Sequence, residues 1–418
     1  MYICIMSRSI RIGLLREGKI PQDNRVAFTP QQCRWIMDRY SQAEITVQPS
    51  SIRCFTDQEY QEQGISLSED LEHCDILLGI KEVPIAQLLS QKVYLMFSHT
   101  KKMQSYNREL LLALMEKRNT LIDYECLTHD DGQRILGFGF FAGVVGAHNG
   151  LLAYGRKTGA FTFRPVHQCH DFKELAETYF GIKLPPLKIV VTGSGRVAAG
   201  ILEVMGMLGI KDVPAEEFLI TEYKYPVYTQ LKAGELYLRK NDKVYNRDDF
   251  HRHSDQYECK FLPFITAADI LMNGIYWERD MAPLFTWNDL INEHFRIQVI
   301  ADITNDTNGS IPCNLGDSTI ENPVYGVDRF TRKKLSPYLS GSLDMMCVGN
   351  LPNELPRDAS RYFGDQLLKY VIEELLGLSV QDRILERATM LTEGILTSPF
   401  RYLQAFAGGS TKNHLLDN

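Results

Sequence analysis

The sequence lacks the features that mark several large classes of protein. Its nine cysteines are scattered and none forms a CxxC pair, which argues against a disulfide framework or a zinc site and predicts reduced thiols. No apolar run approaches the ~20 residues that a membrane-spanning helix needs. The start, MYICIMSRSIRIGLL, shows neither the basic segment nor the small-residue cleavage pattern of a secretory signal. These absences predict a cytoplasmic protein with no metal site and no membrane partner.

The chain also has no excess of positive charge. Its formal net charge is -7 and its pI is about 5.9, so we do not expect nucleic acid or an anionic membrane as a general partner. An anionic ligand would therefore have to be held by a local basic pocket. The hydrophobic content of 44% is typical of a globular protein with ample apolar surface for a core.

Apolar segments alternate with helical patterns through the first 140 residues. Strand candidates lie at 10–15, 44–50, 74–84, 92–99 and 120–127, and helical stretches such as 29–40 and 104–118 separate them. Continuous apolar strands alternating with helices predict an α/β protein with a mainly parallel sheet and helices on both faces. A second unit of this kind begins at KIVVTGSGRVAAG. We interpret the polar, tyrosine-rich residues 220–263 as an insertion or an irregular segment.

A glycine motif follows the first apolar strand of the second unit. Gly193 permits a tight turn, Gly195 would let the backbone approach a pyrophosphate, and Ala198 would let the following helix pack on the strand. The helix N-terminus would offer unpaired N–H groups to the phosphates. The alternative is a strand-to-helix turn in an α/β protein that binds no nucleotide. The strand before the motif and the helix after it favour a dinucleotide site.

The acid that should hold the cofactor ribose is missing from its usual place. It is expected about 20 residues after the glycine motif, where the sequence IKDVPAEEFL offers Asp212, Glu216 and Glu217 without a clear strand end. Arg196 could instead serve a phosphate or face solvent. The sequence therefore predicts NAD or NADP as cofactor without choosing between them.

Charged residues follow several apolar strands of the first unit. DILLGIKEVP ends in Lys81, YLMFSHTKK ends in His99 and Lys102, and the neighbouring segments add Glu125 and Arg134. Because the carboxyl ends of parallel strands line the ligand crevice, we expect these groups to face a ligand. A partly desolvated lysine near other cations has a lowered pKa and can act as a base. Each residue alone could equally be a solvated or core-edge side chain.

Other charged residues extend this set. Arg25, in DNRVAFTP, could clamp a carboxylate by two hydrogen bonds, or could lie on the surface. Asp302 and Asp306, in ADITNDTNGSIP, could hold a substrate amino group or orient the cofactor ribose, or could form an Asx turn.

Several motifs resemble the saccharopine dehydrogenase family. They are REGKIPQDNRVAFTP, GIKEVP, FSHTKKMQ, LIDYE, FGFFAGVVGAHNGL, MNGIYWERDMAPLFT, ADITNDTNGSIP and LPRDASRYFGDQL, and they occur in order up to about residue 376. The family includes lysine-forming saccharopine dehydrogenases and the lysine–2-oxoglutarate reductase part of the animal bifunctional enzyme, to which the chain is more similar. It is more distantly similar to alanine dehydrogenase and to the transhydrogenase alpha subunit.

The resemblance implies two Rossmann-like lobes with the active-site cleft between them. Residues 1–142 with 320–418 would form the substrate and catalytic lobe, and residues 143–319 the dinucleotide-binding lobe. The resemblance implies that Lys81 and His99 form an acid–base pair tuned by Glu125. It implies that the substrate carboxylates are bound by Arg25, Lys102 and Arg134, and that Asp306, with Asp302 nearby, is a substrate-side acid. The implied cofactor-binding residues are the loop of Gly193, Ser194, Gly195, Arg196 and Val197, with Asn273, Gly274, Ile275 and Tyr276 against the nicotinamide half.

These observations predict an NAD(P)-dependent oxidoreductase of lysine metabolism that acts on the CH–NH bond of saccharopine. Its partners would be small amino-acid and oxo-acid substrates, and the protein would be a homodimer or a monomer. Two alternatives stay open at this point. One is an amino-acid dehydrogenase like alanine dehydrogenase, which needs fewer carboxylate ligands, and the other is a nucleotide-binding module without catalytic activity.

Overall fold

Short apolar strands alternate with helices along most of the chain. The structure is a computed structural model and describes residues 9–408 apart from 278–279, 308 and 380–382. The strands are β1 Ile10–Leu14, β2 Ala43–Val47, β3 Ser66–Leu67, β4 Ile76–Leu78, β5 Val93–Met96, β6 Thr120–Asp123, β7 Lys188–Thr192, β8 Lys211–Asp212, β9 Val227–Leu231, β10 Tyr237–Arg239, β11 Tyr257–Cys259, β12 Ile270–Asn273, β13 Val299–Asp302, β14 Val324–Val327, β15 Lys334–Leu335, β16 Leu343–Met346, β17 Thr389–Thr392 and β18 Ile395–Leu396. The helices are α1 Pro30–Arg39, α2 Asp57–Glu62, α3 Arg108–Glu116, α4 Gly139–Thr158, α5 Phe172–Glu177, α6 Arg196–Met207, α7 Ala215–Ile220, α8 Ala233–Leu236, α9 Arg247–Arg252, α10 Trp287–Leu290, α11 Pro356–Tyr370, α12 Ile372–Leu375, α13 Ile384–Ala388 and α14 Gln404–Gly408.

The first unit contains Met1–Gly137 and Pro356–Asn418. Its sheet has the strand order β18-β17-β6-β5-β4-β1-β2-β3. The strands from β6 to β3 run parallel, and β17 and β18 add an antiparallel edge. The central strands are buried on both faces, as the continuous apolar runs of the sequence predict.

The second unit contains Phe138–Leu355. Its sheet has the order β15-β14-β16-β13-β12-β7-β9-β8, parallel except for β14 and β15. Helices α4 and α6 pack so closely that a Cβ on Gly143 would lie 2.0 Å from the carbonyl oxygen of Val197. Both units are therefore mainly parallel α/β sheets, and the predicted fold class is confirmed. No helix in the described parts of the chain combines the length and apolar character needed to cross a membrane.

The boundaries of the two units differ from the predicted ones. The chain passes into the second unit after Gly137, and not after residue 142, and returns to the first unit at Pro356, and not at residue 320. Residues 320–355 stay in the second unit because β16 pairs with β13 and β14 pairs with β16. The second segment of the compact first unit is thus shorter than that of the predicted substrate lobe.

The segment 220–263 is not irregular. It supplies β9, which pairs with β7 along its whole length, and the antiparallel pair of β10 and β11. Its aromatic side chains Tyr237, Phe250, Tyr257 and Phe261 are buried in the core of the second unit. The tyrosine-rich composition that looked irregular is therefore the composition of a local aromatic core.

Candidate active site

Lys81 lies just beyond the carboxyl end of β4, in a turn that Glu17 holds in place. Glu17 Oε1 accepts a hydrogen bond from the Ile80 N–H at 2.6 Å, and Oε2 accepts one from the Lys81 N–H at 2.9 Å. The Phe97 N–H donates to the Ile80 carbonyl at 3.0 Å, which ties this turn to the extension of the adjacent strand β5. The backbone of Lys81 is therefore fixed by a carboxylate and by the neighbouring strand.

The surroundings of the Lys81 side chain lower its pKa. Burial is the main cause, and the guanidinium of Arg25 adds to it, whereas Asp23 and Glu82 oppose the shift. Arg25 is buried and donates from Nε and Nη2 to Asp23 at 2.9 and 2.5 Å. Burial alone would raise the pKa of Asp23, but the ion pair with Arg25 outweighs it and holds this pKa below its usual range. Arg25 is thus within electrostatic range of Lys81.

His99 lies three residues beyond the end of β5, as Lys81 does beyond β4. Its backbone has φ of +53°, a left-handed conformation that non-glycine residues rarely adopt. The imidazole stacks on Phe97 with the ring centroids 6.2 Å apart. Burial lowers the pKa of His99 and Lys81 lowers it further, while Glu82 and Glu125 oppose the shift. Lys81 and His99 therefore lie in each other's electrostatic field.

Glu125 joins three of the predicted site residues. It follows β6, is 8% exposed, and its Oε1 lies 3.5 Å from both Lys102 Nζ and Arg134 Nη1. Its Oε2 lies 3.9 Å from His99 Nδ1 and has no hydrogen-bond partner among the described residues. The carboxylate therefore faces cations on one oxygen and His99 on the other.

Sequence reasoning missed several charged residues of this cluster. Glu17 and Asp23 lie within the motif REGKIPQDNR but were not predicted as site residues. Glu82, which follows Lys81 directly, is buried and accepts a hydrogen bond from Lys19 Nζ at 2.6 Å. The available signal was the density of charge in the segment 16–25 beside a strand end.

In the second unit, the glycine motif forms the turn between β7 and α6. Gly193 has φ of +101°, and a Cβ there would lie 2.6 Å from the carbonyl oxygen of Gly274. Gly195 precedes the first residue of α6, and a Cβ on it would meet no described atom within 4 Å. The turn thus combines a position that only glycine fits with an open backbone approach to a helix N-terminus, which suits a dinucleotide pyrophosphate.

Asn273, at the end of β12, lies at the centre of a buried hydrogen-bond network. It accepts a hydrogen bond from Thr192 Oγ1 at 2.7 Å and donates from Nδ2 to Asp302 Oδ1 at 2.9 Å and to Ser310 Oγ at 2.8 Å. Asn314 Nδ2 donates to the other oxygen of Asp302 at 2.9 Å. Burial raises the pKa of Asp302. Its hydrogen bonds inside this network fix the end of β13 to the end of β12.

The other predicted residues of this region differ in exposure. Asp306 is exposed, and its carbonyl oxygen accepts a hydrogen bond from the Gly309 N–H at 2.8 Å. After Gly274, Ile275 is buried, whereas Tyr276 is 65% exposed. In the described residues there is no group of three or more His, Cys, Asp or Glu side chains that could hold a metal ion.

The expected ribose-binding acid was sought around Asp212, but the strand that follows the glycine motif and pairs with β7 is not the one that carries Asp212. That strand is β9, and β8, which ends in Asp212, lies one strand further out. Gln230 Nε2 donates to the Gly193 carbonyl at 2.9 Å, and Lys232 follows the last residue of β9. These residues line an open cavity of about 270 Å³ together with Asp212, Val213, Pro214, Ala215, Thr229 and Glu235. Glu216 and Glu217 lie in the first turn of α7 and do not line this cavity.

Comparison with known proteins supports the predicted resemblance. Residues 13–145 match the family described as alanine dehydrogenase/PNT, N-terminal domain. The chain is 31% identical over 450 aligned residues to the mitochondrial alpha-aminoadipic semialdehyde synthase of Rattus norvegicus, covering 94% of this chain and 47% of that protein. The chain therefore spans about half the length of this relative.

Two further comparisons cover nearly the whole of both proteins. The saccharopine dehydrogenase (NAD(+), L-lysine-forming) of Yarrowia lipolytica is 26% identical over 400 residues, which are 88% of this chain and 93% of that protein. A solved structure of an L-alanine dehydrogenase superposes with a TM-score of 0.66 at 18% identity, covering 96% of this chain and 99% of that one. Together these matches confirm the predicted resemblance to the saccharopine dehydrogenase family and the two-unit α/β fold.

Proposed function

We propose that this protein is an NAD(P)-dependent oxidoreductase that acts on the CH–NH bond of saccharopine, interconverting it with lysine and 2-oxoglutarate. The observation that carries the proposal is the placement of Lys81 and His99 at the ends of adjacent parallel strands, amid carboxylates. The name of a relative that matches 88% of this chain describes this activity. The proposal includes small amino-acid and oxo-acid partners and a cytoplasmic location.

We assign the proton transfers to the first unit. Lys81, whose pKa is lowered, can take up a proton at Nζ closer to neutral pH than an ordinary lysine can. His99, whose pKa is also lowered, can take up a second proton at its ring. Glu125 would tune His99 and order the two cations beside it.

We assign the substrate carboxylates to the cations of the first unit. Saccharopine carries three carboxylates, and binding them would require several cations in one place, although the chain as a whole has a net charge of -7. The side chains of Lys102 and Arg134 are 58% and 43% exposed, so both are accessible to a ligand. Arg25 is buried and donates from Nε and Nη2 to Asp23, and we keep it as a proposed ligand of a substrate carboxylate. Asp306 keeps its proposed role as the substrate-side acid.

We assign the dinucleotide to the second unit. The turn of Gly193, Ser194 and Gly195 and the first residues of α6, Arg196 and Val197, would hold the pyrophosphate. The segment 273–276 would contact the nicotinamide half, with Asn273 fixed by its hydrogen bonds to Thr192 and Asp302. When bound, the nicotinamide supplies the hydride acceptor or donor that this chain itself lacks.

The end of β9 favours NADP over NAD. An acid is expected there for the ribose hydroxyls of NAD, whereas a cation accommodates the 2′-phosphate of NADP. The exposed residue at this position is Lys232. The acid Glu235, in the turn that follows, uses Oε2 to accept the Lys232 N–H at 2.7 Å. Lys232→Ala should therefore weaken NADP binding about tenfold or more, as expected for a lost charged hydrogen bond. NAD binding should change little, and an equal loss for both cofactors would contradict this assignment.

A nicotinamide absorbance assay tests the proposed reaction. Saccharopine, lysine with 2-oxoglutarate, and alanine would each be supplied with NAD and NADP in the matching redox state. We expect turnover with saccharopine and with lysine plus 2-oxoglutarate, and none with alanine. Turnover with alanine alone would favour an alanine-dehydrogenase-like enzyme. Cofactor binding without turnover on any substrate would favour a non-catalytic module.

A further inference from the structure

The carboxylate of Glu17 is bonded directly to the backbone of Lys81. Both of its oxygens are used, one by the Ile80 N–H and one by the Lys81 N–H. These bonds join residues 63 and 64 positions apart in the chain, so they are not a product of local turn geometry.

The groups around Glu17 include the charged residues Asp23 and Arg25, which also affect Lys81. Burial raises the pKa of Glu17 to about 7, and the charge of Asp23 adds to this shift. The two N–H donors and Arg25 oppose it. The Tyr124 hydroxyl is fully buried, has no hydrogen-bond partner in the described residues, and has its pKa raised by burial and by Glu17. Glu17 is thus partly buried among polar and charged groups, and these surroundings raise its pKa towards neutral pH.

We propose that Glu17 is a positioning residue for catalysis, whose carboxylate holds the turn that presents Lys81 and loosens that turn when it takes up a proton. The inference rests on the proposed role of Lys81. A carboxylate can accept both N–H bonds at full strength, whereas a protonated carboxyl or a carboxamide keeps only one strong acceptor oxygen. One buried backbone N–H would then lose its partner, and the turn would relax.

The test compares Glu17→Gln with a matched variant elsewhere in the same unit. Glu374 is also partly buried and also accepts two consecutive backbone N–H groups, from Ile384 at 2.9 Å and Leu385 at 3.1 Å. Glu374→Gln therefore removes the same kind of contact without touching Lys81. The assay is lysine plus 2-oxoglutarate turnover on the full chain, and circular dichroism reports on folding.

We expect Glu17→Gln to lower kcat by about tenfold to a hundredfold, the scale of a small misplacement of a reacting group. KM for the cofactor should change by less than about threefold, because the glycine turn that we assign to it lies in the other unit. Glu374→Gln should keep kcat within about twofold of the wild type. Glu17→Asp, which keeps both acceptor oxygens, should recover part of the lost kcat.

The pH profile separates positioning from a general loss of structure. The wild type should lose kcat as the pH falls through about 7, where Glu17 takes up a proton. Glu17→Gln cannot titrate and should lose this part of the profile, although Lys81, His99, Asp23 and Arg25 continue to shape the rest. A Glu17→Gln profile that superimposes on the wild type after scaling would overturn the inference, as would equal losses in the Glu374→Gln variant. An inactive wild type would instead overturn the proposed reaction.

Discussion

Replacing Glu125 by Gln should lower the pKa of His99 by about one unit. Glu125 Oε2 lies 3.9 Å from His99 Nδ1, and a negative charge at this distance favours the protonated imidazole. Coulomb's law at an effective dielectric constant of ~20 gives about 4 kcal/mol for two full charges so placed. Lys102 and Arg134 already offset much of the Glu125 charge, so we expect about 1.4 kcal/mol, which is one pKa unit.

The pKa of His99 can be measured by NMR titration of histidine ring protons, without any assumption about substrate. The chain has ten histidines, and the His99→Gln variant identifies the signal by its loss. Glu393→Gln is the matched control, since Glu393 is exposed and its nearest cation is Arg118 at 3.7 Å. It should leave the His99 pKa unchanged. A His99 pKa that stays constant or rises in Glu125→Gln would refute the electrostatic reasoning.

Three further substitutions test the second unit. Gly193→Ala places a Cβ 2.6 Å from the Gly274 carbonyl in a backbone of φ +101°, so it should destabilise the fold by about 1–3 kcal/mol in thermal or denaturant unfolding. Gly195→Ala meets no described atom within 4 Å, so it should keep Tm while weakening cofactor binding in a fluorescence titration. Asn273→Ala removes one donor from the buried Asp302 carboxylate and should cost about 1–3 kcal/mol of stability. An unchanged Tm in Gly193→Ala, a lowered Tm in Gly195→Ala, or an unchanged unfolding free energy in Asn273→Ala would each contradict these expectations.

The local patterns of the sequence predicted much of the site. Continuous apolar runs predicted β4, β5 and β6, and the structure places the predicted site residues Lys81, His99 and Glu125 just beyond the ends of these strands. The prediction was possible because, in a parallel sheet, the carboxyl ends of all strands lie at the same edge, where ligands commonly bind. The glycine turn before α6 was also readable, since it depends on a strand, a turn and a helix that are consecutive in the chain.

The missed features depend on contacts between distant parts of the chain. Glu17 bonds to the backbone of Lys81, 64 positions further along the chain. Patterns of residue spacing predict local structure and cannot predict a contact over this separation. The strand β9 has alternating burial and lies within a polar segment, so its pairing with β7 was not visible. The second boundary of the compact units differs from the predicted one because residues 320–355 carry strands of the second sheet, which only the pairing of β16 with β13 reveals.

The most direct measurement is turnover by the double variant Lys81→Met with His99→Gln. The two residues handle the protons in this account, whereas the residues assigned to the cofactor belong to the second unit. We predict that the double variant loses nearly all turnover of lysine with 2-oxoglutarate while its cofactor affinity stays near that of the wild type. Turnover retained in the double variant would contradict the account.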